Sequence, residues 1–260
     1  MKPIHRTPAQ RLAIGVGVLA VLAFIGAGAV SVAAGIVTQS KDTTHVVMGA
    51  ISTVHIDVDG DISVGTGPVG QITVATHRVW SFHEPTVTER RTATGLSISA
   101  VCQGVDWGTC STSVRLVVPV NAALTLTSSD GSISVDGVRG QLNLQSDNGD
   151  VDVASTPGPL QLSSDNGSVT GTGLTSGQVQ ASSDNGDVTL GFVAAPETAS
   201  ASSENGSVTV LLPHGPASYL VSASTDNGSR SVGVPIDSAS NRHIVATSED
   251  GDVTVAYQPG

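Results

Sequence analysis

Residues 145–153 read Gln-Ser-Asp-Asn-Gly-Asp-Val-Asp-Val, and the phrase returns as SSDNGSVTG at 163–171, SSDNGDVTL at 182–190 and SSENGSVTV at 202–210. Looser copies are SSDGSISV at 128–135, STDNGSRSV at 224–232 and TSEDGDVTV at 247–255. Their turn glycines, Gly131, Gly149, Gly167, Gly186, Gly206, Gly228 and Gly251, are spaced 18, 18, 19, 20, 22 and 23 residues apart. A period of this size marks a repeat architecture, in which each unit buries its apolar face only against its neighbours. VDGDISV at 58–64 reads as an earlier, isolated copy.

Each unit divides into two short strands of alternating polarity, with Leu142 and Leu144 before the corner and Val151 and Val153 after it. The Asp-Asn-Gly corner has a local cause: Asn and Gly accept positive φ, and an Asp or Ser side chain caps the amides of the turn. The opposite corner is looser, as in Gly137-Val138-Arg139-Gly140, Pro157-Gly158-Pro159 and Thr175-Ser176-Gly177, and it absorbs the insertions that lengthen the period. Two folds fit strand-turn-strand-turn. Asn-Gly by itself favours an antiparallel meander of hairpins. The near-identity of the corners favours a β-solenoid, because coils stack like on like and let Asn and Ser form ladders. The expectation is all-β, with β-solenoid repeats over residues 121–260.

Upstream, residues 45–120 also read as strands, in THVVMGAISTVHIDV, QITVATHRVW, GLSISA and STSVRLVVPV. They are expected to form an N-terminal β subdomain that caps the array and hides its first edge. Residues 38–44 are expected to be a linker. Before them, Leu12 to Val37 are 26 residues without a charge, about 39 Å at the helical rise and enough for the roughly 30 Å hydrocarbon layer. Lys2, Arg6 and Arg11 stand on the near side of this run, so the positive-inside rule makes residues 1–11 a cytoplasmic tail and 12–37 a transmembrane helix or signal anchor. A cleaved signal peptide is the competing reading, since Ala27-Gly28-Ala29 and Val32-Ala33-Ala34 resemble cleavage sites. Either way the body lies outside.

Composition supports this picture. The chain has 260 residues, 39% hydrophobic and 13% charged, which is too apolar for a disordered acidic segment. With only 3 Phe, 2 Trp and 2 Tyr, the core must come from Val, Leu, Ile and Ala, which suits thin β layers. From Lys41 onward eight basic residues face 22 acidic ones, a net charge of −14, which argues against nucleic-acid partners.

The only cysteines, Cys102 and Cys110, close the short stretch CQGVDWGTC, and outside the cell a disulfide is expected. Two thiols fall short of a zinc set, and the nearest histidines, His77 and His83, lie well upstream.

The seven spaced copies of Asp-Asn-Gly-(Asp/Ser)-Val and the single amino-terminal span resemble a bacterial β-strand-repeat family of unknown function whose members carry a provisional adhesin label. The resemblance covers roughly residues 45 to 260. It implies a β-solenoid at the cell surface and adds little about function, because the label rests on fold-level analogy.

Among chemical readings, calcium is the sharpest. Stacked corners place Asp147, Asp165, Asp184, Glu204, Asp226 and Glu249 in one column, with Asp150, Asp187 and Asp252 nearby, and a hard divalent cation takes carboxylate ligands. Asp147, Asp150, Asp165, Asp184 and Asp187 are the candidates. Ser at 132, 168, 207 and 229 removes ligands from four copies, and solvated turn caps are the alternative. A polysaccharide-acting β-helix enzyme is a further reading, since paired carboxylates abound. Acids that recur at every turn are more simply structural, and the repeats offer only Phe192, Tyr219 and Tyr257 as aromatic platforms. His214 and His243 accompany no Gly-x-Ser-x-Gly elbow. HRVWSFHEP at 77–85 reads as core packing of the cap.

The functional expectation is a non-catalytic, single-pass envelope protein with no cofactor, an adhesin or binding scaffold displayed outside the membrane. Its partner would be a surface protein or glycan. An envelope-stress sensor or regulator, with residues 1–11 contacting a cytosolic protein, is the alternative.

Overall fold

The computed structural model describes residues 38–103 and 108–259. The expected tail and transmembrane helix lie outside them, and among the described residues no helix is long and apolar enough to cross a membrane. The described chain is all-β. It begins with β1 (Gln39–Met48), β2 (Thr53–Val58), β3 (Ile62–Gly67), β4 (Gln71–Trp80), β5 (Thr86–Arg91), β6 (Gly95–Val101) and β7 (Cys110–Pro119). The repeats then supply β8 (Ala123–Ser128) and β9 (Ile133–Asp136), β10 (Leu142–Ser146) and β11 (Val151–Ala154), and β12 (Leu160–Ser164) and β13 (Val169–Leu174). They continue with β14 (Gln178–Ser183) and β15 (Val188–Phe192), β16 (Thr198–Ser203) and β17 (Val208–Leu212), β18 (Leu220–Thr225) and β19 (Arg230–Val232), and β20 (His243–Ser248) and β21 (Val253–Tyr257).

Each repeat gives one strand to each of two sheets, and equivalent strands stack in parallel. This is the solenoid alternative; no repeat forms a hairpin with itself. One sheet runs β1-β4-β7-β3-β9-β11-β13-β15-β17-β21-β19, the other β18-β20-β16-β14-β12-β10-β8-β2-β6-β5. We call them sheet A and sheet B.

Spatial order departs from chain order at both ends. The isolated copy at 58–64 is a coil of the stack, because β2 lies on β8 and β3 on β9. The β6–β7 coil packs outside it, although it follows it in the chain. At the far end the last repeat, β20–β21, is inserted between β16–β17 and β18–β19.

Inward residues form columns along the stack. In sheet A, Ile62, Ile133, Val151, Val169, Val188, Val208 and Val253 share one, and all are buried. In sheet B, Leu126, Leu144 and Leu162 give way to Ala181, Ala201 and Ala246. Larger buried side chains in sheet A, Leu190, Phe192 and Leu212, accompany those alanines, so the two layers trade volume within one continuous core.

The ends are closed differently. At the first coil, β1 and β4 run antiparallel on β7, and β5 runs antiparallel on β6. The edges carry Lys41 and Asp42 on β1 and Glu89, Arg90 and Arg91 on β5, charges that discourage further pairing. Residues 39–44, expected to be linker, are the first part of β1. At the last coil, exposed Arg230 takes the place that Val253 and Val208 hold in the coils beneath, and β19 is only 3 residues long. A charge at a core position blunts that edge.

One local expectation fails. The corner glycines Gly131, Gly149, Gly167, Gly186, Gly206, Gly228 and Gly251 are not left-handed; positive φ is found at Gly49, Gly70, Gly108, Gly137, Gly173, Gly215 and Ser155. What excludes a side chain at the corner is proximity. A Cβ on Gly186 would lie 2.2 Å from the carbonyl oxygen of Gly167, and the other stacked corners are as tight.

Candidate functional site

The corners make one long edge of the solenoid, and three ladders run along it. The innermost is serine: Ser146 Oγ donates to the Gly131 carbonyl and accepts from the Gly149 amide, each at 2.9 Å. Ser128, Ser164, Ser183 and Ser203 repeat this bridge. Ser248 and Thr225 donate to Gly206 and Gly251. The serine before Asp-Asn-Gly, rather than the Asp expected from turn chemistry, therefore caps the corner. It is buried, which is why its hydroxyl must find two partners.

The second ladder is asparagine. Asn166, Asn185 and Asn205 each donate from Nδ2 to the Oδ1 of the Asn one coil below, at 2.9 to 3.0 Å, and Asn148 donates to Asp130. The ladder is interrupted at Asp250, which stacks on Asn205 without an amide to donate; Asn227 resumes it by donating to Asp250 at 2.8 Å.

The third column follows the glycine. In stacking order it reads Asp61, Ser132, Asp150, Ser168, Asp187, Ser207, Asp252, Ser229, a strict alternation. The amides of Ser132, Ser168, Ser207 and Ser229 donate to the carboxylates of Asp61, Asp150, Asp187 and Asp252 at 2.7 to 3.0 Å. Asp150 and Asp187 thus stand two coils apart, about 9.6 Å at the usual strand spacing. Asp147, Asp165, Asp184, Glu204, Glu249 and Asp226 form the expected acidic column beside the Asn ladder, one carboxylate per coil. The structure brings the five calcium candidates to one edge, in two separate columns.

Cys102 and Cys110 are bonded to each other at the corner of the β6–β7 coil. Asp59, in the corner above, accepts from the Thr112 amide at 3.0 Å and places Oδ2 3.0 Å from Cys102 Sγ. The three residues form a compact group of ligand-type atoms, but sulfurs joined in a disulfide are not thiolates and hold no metal. Burial pushes the Asp59 carboxyl above the usual carboxylate range, opposed by backbone hydrogen bonds and aided by the charge of Asp130. No sequence signal joined Asp59 to the cysteines, since only the stacking of two corners 43 residues apart does so.

The flat faces differ in chemistry. In sheet B, β8, β10, β12, β14, β16, β20 and β18 contain no Asp, Glu, Lys or Arg. Their outward residues are hydroxyls and amides, joined by His243 and Val245. Over the coils where Leu gives way to Ala, this face is dished into a groove of about 430 Å³ lined by Gln141, Gln161, Gln178, Gln180, Ser200 and His243 among others. Sequence reading missed the groove, since no single residue marks it. Of the HRVWSFHEP segment, Trp80 is buried as expected, while His77 and Phe82 are exposed and His77 pairs with Asp42 at 2.6 Å. His214 stacks on Tyr257 with ring centroids 4.7 Å apart.

Residues 105–258 match the model of the Toastrack DUF4097 family. No curated protein matches the chain. Among solved structures, a provisionally named cell adhesion protein from Clostridium sporogenes is 12% identical with a TM-score of 0.43, covering 85% of this chain and 100% of its own. A provisionally named adhesin from Bacteroides fragilis is 14% identical with a TM-score of 0.41, covering 84% and 97%. Another from Parabacteroides merdae is 14% identical with a TM-score of 0.39, covering 84% and 97%.

Proposed function

The chain belongs to the Toastrack DUF4097 family, and from that premise we propose that it is a non-catalytic binding scaffold of the bacterial envelope. Residues 12–37 anchor it as a single span, residues 1–11 stay in the cytoplasm, and the solenoid is displayed outside as a surface-binding module of the adhesin kind. The observation that carries the reading is the uncharged outer face of sheet B, seven stacked strands wide and dished at its centre. On a body this acidic, a broad area without formal charge is a place where a neutral ligand lies down without desolvating ions. Amide and hydroxyl groups repeated at the coil spacing suit a partner that is itself repetitive, such as a glycan chain.

The test is adherence of cells displaying the full chain to surfaces coated with neutral polysaccharides. Gln161→Glu and Gln180→Arg on the face should abolish adherence, and Asp165→Asn on the corner edge should leave it intact. Adherence that follows the corner variant and ignores the face variants would move the site to the acidic edge.

A further inference from the structure

We propose that the tip made by the ends of β1, β4 and β7 seats in the lipid headgroup layer, with the acidic corner edge turned toward the bilayer. The inference rests on the reading of residues 12–37 as a span. Between Val37, the last residue of the apolar run, and Gln39, the first of β1, stands only Thr38, whose reach is at most about 3.6 Å. The run itself is about 39 Å as a helix against a hydrocarbon layer of roughly 30 Å, so its outer end emerges within the headgroups. No tether remains to lift the body away.

What adjoins Gln39 therefore adjoins the lipid. The register is fixed by ten paired residues: Gln39 lies opposite Trp80, and Trp80 opposite Cys110. Ser81 continues from Trp80 and is tied to Thr109 by two hydrogen bonds, its amide to the Thr109 carbonyl and the Thr109 amide to its Oγ. Next to it Phe82 is 44% exposed, against Gly108. Lys41 and Arg78 converge on Glu84 at 3.1 and 2.6 Å. An exposed aromatic ring flanked by cationic side chains is the chemistry that settles at the membrane–water interface.

The same register gives the direction. The Gly60 amide of the first corner donates to the Thr112 carbonyl, and Cys110 lies two residues further out along β7. The tip thus reaches past the corners on their own side, and the opposite turns, such as the one holding Glu197, point away. The solenoid lies alongside the membrane rather than standing off it.

The experiment uses the full chain, disulfide intact, in phosphatidylcholine vesicles containing a headgroup spin-labelled lipid. A fluorophore is placed in turn on His83→Cys beside the tip, Asp165→Cys on the corner edge and Glu197→Cys on the opposite edge. Quenching should be strongest at 83, with a slope about twice that at 197 or more, as expected for sites separated by more than the headgroup depth; position 165 should lie between. Equal quenching at 83 and 197, or weaker quenching at 165 than at 197, overturns the inference while the protein stays in the vesicles. Release of the protein by alkaline wash removes the span, and both readings fall together.

Discussion

The backbone amide of Ser229 donates to Oδ1 of Asp252 at 2.8 Å, although Asp252 follows it by 23 residues and lies beneath it in the stack. Along the chain the residues after the corner glycines run Ser207, Ser229, Asp252, two serines in succession. Along the solenoid they run Ser207, Asp252, Ser229. Inserting the last repeat restores the alternation, which keeps carboxylates two coils apart and gives each of those Asp residues an amide partner.

If alternation helps to set coil order, Ser229→Asp should destabilise the protein by about 0.5–1 kcal/mol through a like-charged neighbour one coil from Asp252. Adding Asp252→Ser should recover most of that loss. Thermal melts of both variants at low and high salt check this, since screening should shrink the single-mutant effect. Equal, additive losses in the double mutant would remove charge from the explanation.

Asp250→Asn should stabilise. The new Nδ2 completes the ladder by donating to Asn205 Oδ1, while Asn227 keeps its acceptor, for a gain of about 0.5–1.5 kcal/mol. A higher urea midpoint at unchanged m-value is the expected readout.

Gly186→Ala should cost about 3 kcal/mol, because the added methyl meets the Gly167 backbone at 2.2 Å and two coils must separate to admit it. Gly65→Ala, where a Cβ meets nothing within 4 Å, should be nearly neutral. Comparable losses in the two variants would mean that backbone freedom, not stacking distance, makes the corner glycine necessary.

Asp59 gives a pH signature. Its folded pKa is raised, so the folded state holds the proton more tightly than the unfolded chain, and stability falls as pH rises from about 3.8 through the folded value. In Asp59→Asn this component should vanish, so the difference between wild type and variant should drift in the variant's favour across that window. A pH-independent difference between the two unfolding curves would contradict it.

Much of this was legible in the sequence because a repeat states its own period. The strands, the inward Val and Leu columns and the Asn ladder all follow from the spacing of Asp-Asn-Gly. Coil order did not follow, since near-identical units pair equally well on paper. The cue was the residue after each glycine, whose alternation shows only once Asp252 is seen between Ser207 and Ser229. Glycine itself was ambiguous: a left-handed turn and a backbone pressed against its neighbour both demand it, and only the Gly167–Gly186 approach separates the two. The groove was unreadable because it belongs to a sheet surface shared by many residues, each ordinary alone.

The late insertion of β20–β21 also sets a schedule. A chain leaving the membrane amino-terminus first can zip coil upon coil as far as Leu212, and there it must wait. Arg230 and its neighbours have no seat until residues 243–257 arrive to be clasped between them and the finished stack. Assembly is thus latched by the last segment to be delivered, and an interrupted product keeps its growing end open and conspicuous to the proteases that patrol the cell surface.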